Sequence, residues 1–242
     1  MASAPVSDVS IWRGDDTPLK PWHPLHQPAG QPADEAQRLK VTQETGLGKA
    51  QDDSYLNTLA LIAQRSFRPC EEGAQGANRT EDAGGGQSST LSAAINLIAE
   101  NEQWTKASAG YDLCSVHRDV SICAHTILKE HDRASTQGCL VVLDTAQDAR
   151  FKYSDVCTVG PFQIRFYAGV GLEVCRGGVN WTVGTLCVFD SKPRTSFSDE
   201  ECRILAALGK AVRYHTARPA FHSARASRQR AHVSDSSVRK RG

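Results

Sequence analysis

Short apolar segments between residues 139 and 190 constrain the fold of this chain more than any other feature. CLVVLD (139–144) is a continuous apolar run, and we expect it to form a buried central strand. FQIRFYA (162–168) alternates apolar and polar residues, which predicts a half-buried strand. GLEV and WTVGTLCVFD flank Gly177 and Gly178 and predict two further strands around a turn. This part of the chain therefore favours an antiparallel sheet.

The residues before this sheet predict helices and a β-hairpin. ADEAQRLKVTQ (33–43) has acids near its start and good helix formers, so we expect a short lead-in helix. LSAAINLI (91–98) and QWTKA (103–107) predict two strands around a tight turn at Glu100-Asn101. Two further helices are predicted from apolar residues at helical spacing: Leu56, Leu59, Ile62, Ala63 and Phe67 in one, and Val120, Cys123, Ala124, Ile127 and Leu128 in the other.

The last helix has the clearest start signal in the chain. Ser198 and Glu201 form the pattern S-x-x-E of a capping box, and Phe197 and Cys202 stand where a hydrophobic staple would. An apolar stripe then runs along the helix through Ile204, Leu205, Leu208, Ala211 and Val212. The predicted order is helix, strand pair, helix, strand, loop (145–161), three strands and helix. This is an α+β fold with helices packed on a central antiparallel sheet.

Three segments differ in composition from the rest. Residues 1–32 hold six of the ten prolines, and we expect them to be disordered. Residues 68–90 are rich in glycine and small polar residues and predict a flexible insertion. Residues 216–242 carry seven Lys or Arg against one acid and predict a disordered basic tail. Contact of this tail with nucleic acid or an anionic membrane stays open, with a solvated extension as the simpler interpretation.

The eight cysteines favour a reducing compartment. Several lie in apolar runs, the chain has no CxxC pair, and its N-terminus has neither a basic region nor an apolar core like a secretion signal. We therefore expect reduced thiols and a cytoplasmic protein.

Five motifs in register resemble the GAF domains of bacterial and some eukaryotic sensor proteins. They are SICAHTIL (121–128), LDTAQDARF (143–151), IRFYAGVGL (164–172), VGTLCVFDSKPR (183–194) and FSDEE (197–201). The similarity runs from about residue 33 to residue 215, so we expect one GAF-like domain over 33–215 with the glycine-rich insertion inside it.

The resemblance implies a small-molecule pocket on one face of the sheet. Its expected lining, carried over from the matching motifs, is Cys123, His125, Asp144, Asp148, Arg150, Phe151, Arg165, Phe166 and Tyr167. Two of these residues leave an alternative open. Arg150 and Arg165 either hold an anionic ligand or pair with Asp144 and Asp148 to brace the long loop.

Residues of the same region also raise the questions of zinc binding and of bilin attachment. Cys114, His117, Cys123 and His125 suggest zinc, but Cys123 and His125 stand two apart on a predicted helix and cannot share one tetrahedral ion. A bilin attached at a cysteine is a second possibility, although the other motifs of such pockets are absent. We predict no metal, and the cofactor, if there is one, is unknown.

The resemblance implies a regulatory domain that senses a small molecule in signal transduction and is not itself an enzyme. It would act on a separate partner protein or through a homodimer formed by helices 54–67 and 198–215. Two alternatives stay open. One is a thiol-dependent reductase of the free methionine sulfoxide reductase type, and the other is a ligand-free interaction scaffold, which predicts a collapsed cavity.

Overall fold

The computed structural model describes residues 23–45, 53–68, 91–111, 115–128, 138–159 and 162–217. Their core is a six-stranded antiparallel sheet with the strand order β3-β2-β1-β6-β5-β4. The strands are β1 (Ser92–Ile98), β2 (Glu102–Ala109), β3 (Ser115–His117), β4 (Cys139–Val142), β5 (Phe166–Arg176) and β6 (Val179–Asp190). The helices are α1 (Glu35–Glu44), α2 (Ser54–Ser66), α3 (Ile122–Thr126), α4 (Asp155–Thr158) and α5 (Asp199–Ala217). None of the helices in these ranges is long and apolar enough to cross a membrane.

The two faces of the sheet are covered by different kinds of element. The long helices α2 and α5 lie on one face and pack against alternate residues of β1, β5 and β6, such as Ile95 and Leu186. The short helices α3 and α4 and their flanking turns lie on the other face, over Ala94, Tyr167 and Cys187. The α+β fold with helices on an antiparallel sheet is therefore confirmed.

Several predicted strands differ from those observed. CLVVLD was expected at the centre of the sheet, but β4 is an edge strand that pairs with β5 alone. FQIRFYA and GLEV are not separate strands, since β5 begins at Phe166 and runs unbroken to Arg176. The half-buried pattern is also wrong, because both faces are covered and residues 166–170 are all buried. The short strand β3 was not predicted.

The helices follow the predictions more closely, except in the middle of the chain. The capping box is confirmed, because the Glu201 amide donates to Ser198 Oγ at 3.2 Å and the Ser198 amide donates to Glu201 Oε2 at 2.7 Å. The prediction of an amphipathic helix over residues 120–128 is wrong. A 3-10 turn and the five-residue helix α3 stand there, and every residue of α3 is buried. The loop 145–161 contains α4, and Ile62 and Ile204 are exposed instead of buried in their helices.

The flanking segments lie partly outside the described residues. Residues 1–22, 69–90 and 218–242 fall outside, so the predicted disorder and the glycine-rich insertion are not described there. Residues 23–32 form no helix or strand, but two histidines contact the domain. His23 stacks on Tyr153 with ring centroids 4.3 Å apart, and His26 Nε2 lies 2.8 Å from the carbonyl oxygen of Asp119.

A buried ion cluster attaches α1 to the end of the sheet. Glu35 accepts hydrogen bonds from Arg38 Nε at 2.7 Å and Nη2 at 2.6 Å, and it also pairs with Arg118. Arg38 additionally donates to the carbonyl oxygen of Ile98 at 2.8 Å. Burial alone would raise the pKa of Glu35, but the hydrogen bonds from the two guanidinium groups outweigh it and hold the pKa below 4.5.

We predict that Glu35→Gln destabilises the protein by about 3 kcal/mol, because it leaves two buried guanidinium groups without their shared carboxylate. The matched control is Glu200→Gln, which removes an exposed pair with Arg203 and should cost less than about 1 kcal/mol. Urea unfolding measures both. Since the folded pKa of Glu35 is lowered, its contribution should be complete above pH 4.5 and shrink as the pH falls through the lowered value. Equal losses in the two variants would contradict the role of this cluster.

Candidate functional site

A cavity of about 40 Å³ lies on the face of the sheet covered by α3 and α4. A water molecule needs about 10–15 Å³ of such space, so the cavity accommodates only a few waters. Its apolar and aromatic lining is Tyr111, Val116, Ile122, Val156, Phe162, Ile164 and Phe189. Its polar lining is Asn96, Gln103, Ser121, Cys123, Tyr167 and Cys187. Apolar walls with a few converging polar groups are the usual composition of a ligand site.

Three aromatic rings form one end of this cavity. Tyr111 lies edge-on to Phe162 and to Phe189, with ring centroids 5.4 Å apart in both pairs. Phe162 and Phe189 are 6.0 Å apart at nearly a right angle. Tyr111 and Phe162 are half-buried, whereas Phe189 is buried.

Two thiols meet at the other end of the cavity. Cys123 comes from α3 and Cys187 from β6, and their Sγ atoms are 3.8 Å apart. Asn96 Nδ2 donates to Cys123 Sγ at 3.4 Å and to Cys187 Sγ at 3.6 Å. The Tyr167 hydroxyl donates to Cys123 Sγ at 3.4 Å and lies 2.7 Å from Thr126 Oγ1. The amide oxygen of Asn96 is buried and has no hydrogen-bond partner among the described residues.

This arrangement separates the pKa values of the two thiols. Burial alone would raise the pKa of Cys123, but hydrogen bonds from Cys187, Tyr167 and Asn96 outweigh it and lower the pKa to about 7. The hydrogen bond to Cys123 and burial raise the pKa of Cys187 well above its ordinary value. Cys123 is therefore the thiol that ionises first, and Cys187 keeps its proton as a donor to it.

Gly169 makes room for the tyrosine. A Cβ atom at Gly169 would lie 2.3 Å from the hydroxyl oxygen of Tyr167, two residues earlier on the same face of β5. Only glycine therefore lets the Tyr167 ring lie along the strand and reach Cys123. Burial, followed by the charge on Cys123, raises the pKa of Tyr167 well above its usual value.

The predicted arginine residues are paired within the protein. Arg165 donates to Asp144 at 2.8 and 2.9 Å, and Arg150 donates to Asp148 at 2.9 and 2.6 Å. The hydrogen bonds from Arg165 lower the pKa of Asp144. Burial would raise the pKa of Asp148, but the hydrogen bonds from Arg150 lower it overall. Of the two interpretations left open by the sequence, the structure shows the brace, and none of these four residues lines the cavity.

The remaining predicted residues divide between the two faces. Cys123 and Tyr167 line the cavity. His125 and Phe151 are buried on the same face, with their rings edge-on and 4.8 Å apart, but outside the lining. Phe166 points to the opposite face, under Arg194, whose guanidinium carbon lies 4.2 Å from the ring centroid. The reason is the two-residue period of a strand, which sends Phe166 and Tyr167 to opposite sides of the sheet.

Sequence reasoning missed Asn96, Gly169 and Cys187 as parts of the site. Asn96 had a signal, since it is the only strongly polar residue inside the apolar run LSAAINLI. No sequence signal paired Cys187 with Cys123, which lies 64 residues earlier. The described residues contain no group of three or more His, Cys, Asp or Glu that would hold a metal ion, and Cys114 of the considered zinc set lies outside them.

We predict that Cys123 reacts with methyl methanethiosulfonate at a lower pH than Cys157, because hydrogen bonds lower the pKa of Cys123 whereas burial raises that of Cys157. Tyr167→Phe should move the pH midpoint of the Cys123 reaction upward, since it removes one donor to the thiolate. Cys157 is the internal control, because burial raises its pKa to about 12. Peptide mass spectrometry across a pH series measures each cysteine. A Cys123 midpoint as high as that of Cys157 would refute this electrostatic arrangement.

Comparisons with known proteins agree with the fold. The model of the GAF domain family matches residues 54–213. A cyclic di-GMP phosphodiesterase of Pseudomonas aeruginosa is 33% identical over 128 residues, which are 52% of this chain. The match covers 20% of that relative, so this chain spans about a fifth of its length.

Solved structures with a similar fold have low sequence identity. The GAF domain of an Acinetobacter phosphoenolpyruvate-protein phosphotransferase is 14% identical with a TM-score of 0.45, covering 77% of this chain and 95% of that one. The free methionine-R-sulfoxide reductase of Neisseria meningitidis is 15% identical with a TM-score of 0.41, covering 76% of this chain and 87% of that one. On the family match over residues 54–213, this chain belongs to the GAF domain family.

Proposed function

We propose that this chain is a regulatory domain that senses a small molecule in the cavity between α3, α4 and the sheet, and acts in signal transduction. The observation that carries the proposal is the unpartnered, buried amide oxygen of Asn96 in the wall of a cavity with the polar groups of Cys123 and Tyr167. A buried polar group without a partner costs about 1–3 kcal/mol. A ligand that donates a hydrogen bond to this oxygen would recover that cost.

The similarity to the phosphodiesterase supports a place in signalling without supplying a catalytic role. The aligned segment is 20% of that enzyme. We therefore place this chain on the regulatory side of such a pathway, where it acts on a separate partner protein or through a dimer.

The size of the cavity weighs against the reductase alternative. Free methionine sulfoxide is an amino acid, and the cavity of about 40 Å³ would have to widen to admit it. The scaffold alternative predicts a collapsed or filled cavity among Cys123, Asp148, Arg150 and Tyr167. The cavity beside Cys123 and Tyr167 is small, so a ligand bound there is the observation that would separate a sensor from a scaffold.

The first test is native mass spectrometry of the purified chain before and after denaturation. We expect a bound small molecule that is released on denaturation. Asn96→Leu should weaken its binding about fivefold, the effect of one lost hydrogen bond of about 1 kcal/mol, because it removes the amide oxygen that the proposal assigns to the ligand. Tyr55→Phe is the control, because Tyr55 is 46% exposed on α2, away from the cavity. Equal ligand occupancy in the two variants would show that the cavity is not the binding site.

A homodimer through α2 and α5 is the second part of the proposal. Nine large apolar side chains of the described residues are exposed, and five of them lie on these two helices: Tyr55, Leu61, Ile62, Ile204 and Tyr214. The helices are joined at their ends, since His215 Nε2 lies 2.8 Å from Asp53 Oδ2. We propose that the exposed side chains of these two helices together form the surface that a second copy of the chain buries.

We predict that Ile62→Glu weakens dimerisation at least about tenfold, because it places a charge in an apolar interface. Val179→Glu is the matched control, since Val179 is 45% exposed but lies at the β5–β6 turn. Light scattering coupled to size-exclusion chromatography measures the mass of each variant over a concentration series. A dimer unaffected by Ile62→Glu, or a wild-type protein that is monomeric throughout, would overturn this interface.

A further inference from the structure

The two thiols of the cavity are placed for a reaction with each other. Their Sγ atoms, 3.8 Å apart, are in van der Waals contact, although the residues belong to different elements 64 positions apart. A disulfide needs a separation of about 2.05 Å, so the sulfur atoms must approach by less than 2 Å. Both sulfur atoms accept hydrogen bonds from the same amide group, Nδ2 of Asn96, which holds them side by side.

The size of the cavity bears on which molecules reach these thiols. Its volume of about 40 Å³ matches a few waters, so a molecule of the size of hydrogen peroxide enters without any widening of the cavity. Hydrogen peroxide is only slightly larger than water and carries the hydrogen-bond donors that the unpartnered oxygen of Asn96 requires.

We propose that Cys123 and Cys187 form a redox-active dithiol, which hydrogen peroxide entering the cavity oxidises to an intramolecular disulfide. The inference rests on the proposed function, because it takes the same cavity as the sensory site and names the class of molecule that is sensed. Detection is then a covalent and reversible change of the protein itself.

The reaction balances in two steps. The Cys123 thiolate attacks one oxygen of hydrogen peroxide. The S–O bond forms, the O–O bond breaks, and the leaving hydroxide takes up a proton to become water. Cys187 then attacks the sulfur of the Cys123 sulfenic acid, the S–S bond forms, and the S–O oxygen leaves as a second water with the Cys187 proton. Two thiols are oxidised and one peroxide is reduced to two waters.

The order of the two thiols follows from their surroundings. The hydrogen bonds that lower the pKa of Cys123 favour its thiolate, which is the form that attacks peroxide. Cys187, whose pKa is raised, keeps the proton that the second step releases. We therefore assign Cys123 as the attacking thiol and Cys187 as the resolving thiol.

A second pair of buried cysteines supplies the matched control. Cys139 and Cys202 are neighbours on the opposite face of the sheet, and neither lines the cavity. Burial raises the pKa of both thiols. Cys175 is exposed and serves as the reference for oxidation without assistance from the fold.

The experiment treats the full, fully reduced chain with hydrogen peroxide at pH 7, blocks the remaining thiols, and maps the disulfides by mass spectrometry without reduction. We expect a Cys123–Cys187 disulfide that a dithiol reductant reverses, with Cys123 oxidised on the order of tenfold or more faster than Cys175. Cys187→Ser should stop the reaction at a Cys123 sulfenic acid, which dimedone traps. Cys139→Ser should leave the rate within about twofold of wild type.

Two results would overturn the proposal: oxidation of Cys175 while Cys123 remains a thiol, or a first disulfide that joins any other pair. If the serine variants do not fold, Tyr167→Phe decides, because it should slow Cys123 oxidation while leaving Cys175 unchanged.

Native mass spectrometry separates this inference from the proposed function. A bound metabolite beside inert thiols would refute the peroxide chemistry and keep the sensor, and peroxide-driven disulfide formation without any bound metabolite would support the dithiol alone.

Discussion

The antiparallel pairing of β1 with β6 is the constraint on which the rest of this structure depends. It joins two hairpin units, β1–β2 and β5–β6, into one sheet, with Ala94 opposite Cys187 and Asn96 opposite Thr185. Every residue of β1 is buried because the sheet is covered on both faces. The two faces are covered by helices of different length. The helices α2 and α5 on one face have 13 and 19 residues, whereas α3 and α4 on the other face have five and four. The cavity beside Cys123 and Cys187 lies under the short helices and their flanking turns.

The sequence predicted the elements whose signals are local. The capping box at Ser198 needs only residues within one turn of the helix, and the lead-in helix and the first hairpin depend on neighbours in the chain. Sheet position is not local. CLVVLD reads as a central strand because it is apolar, yet β4 lies at the edge, and its burial comes from the elements that cover it. The same limit explains FQIRFYA, where the alternation of polar residues suggested an exposed face that the fold covers.

The candidate site was predictable only in part, for a related reason. The family motifs predicted Cys123 and Tyr167 as lining residues. They could not show that Arg150 and Arg165 form ion pairs with Asp148 and Asp144. Those pairs form across two and 21 positions and depend on how the loop folds back. Cys187 lies in the site because β6 pairs with β1 in one particular register, which places the Cys187 thiol beneath α3. A single sequence carries no direct signal for that register.

The polar cluster around Asn96 is difficult to explain by stability alone. Asn96 lies in an inner strand at 1% exposure, with an unpartnered amide oxygen, and thiols are weak hydrogen-bond acceptors for its amide hydrogens. An apolar side chain of similar volume would remove a desolvation cost of about 1–3 kcal/mol and still fill the strand. The same reasoning applies to Tyr167, whose buried hydroxyl requires Gly169 at the next position on its face. A polar cluster that lowers stability, placed beside the cavity, fits the dithiol chemistry proposed above for the contact between Cys123 and Cys187.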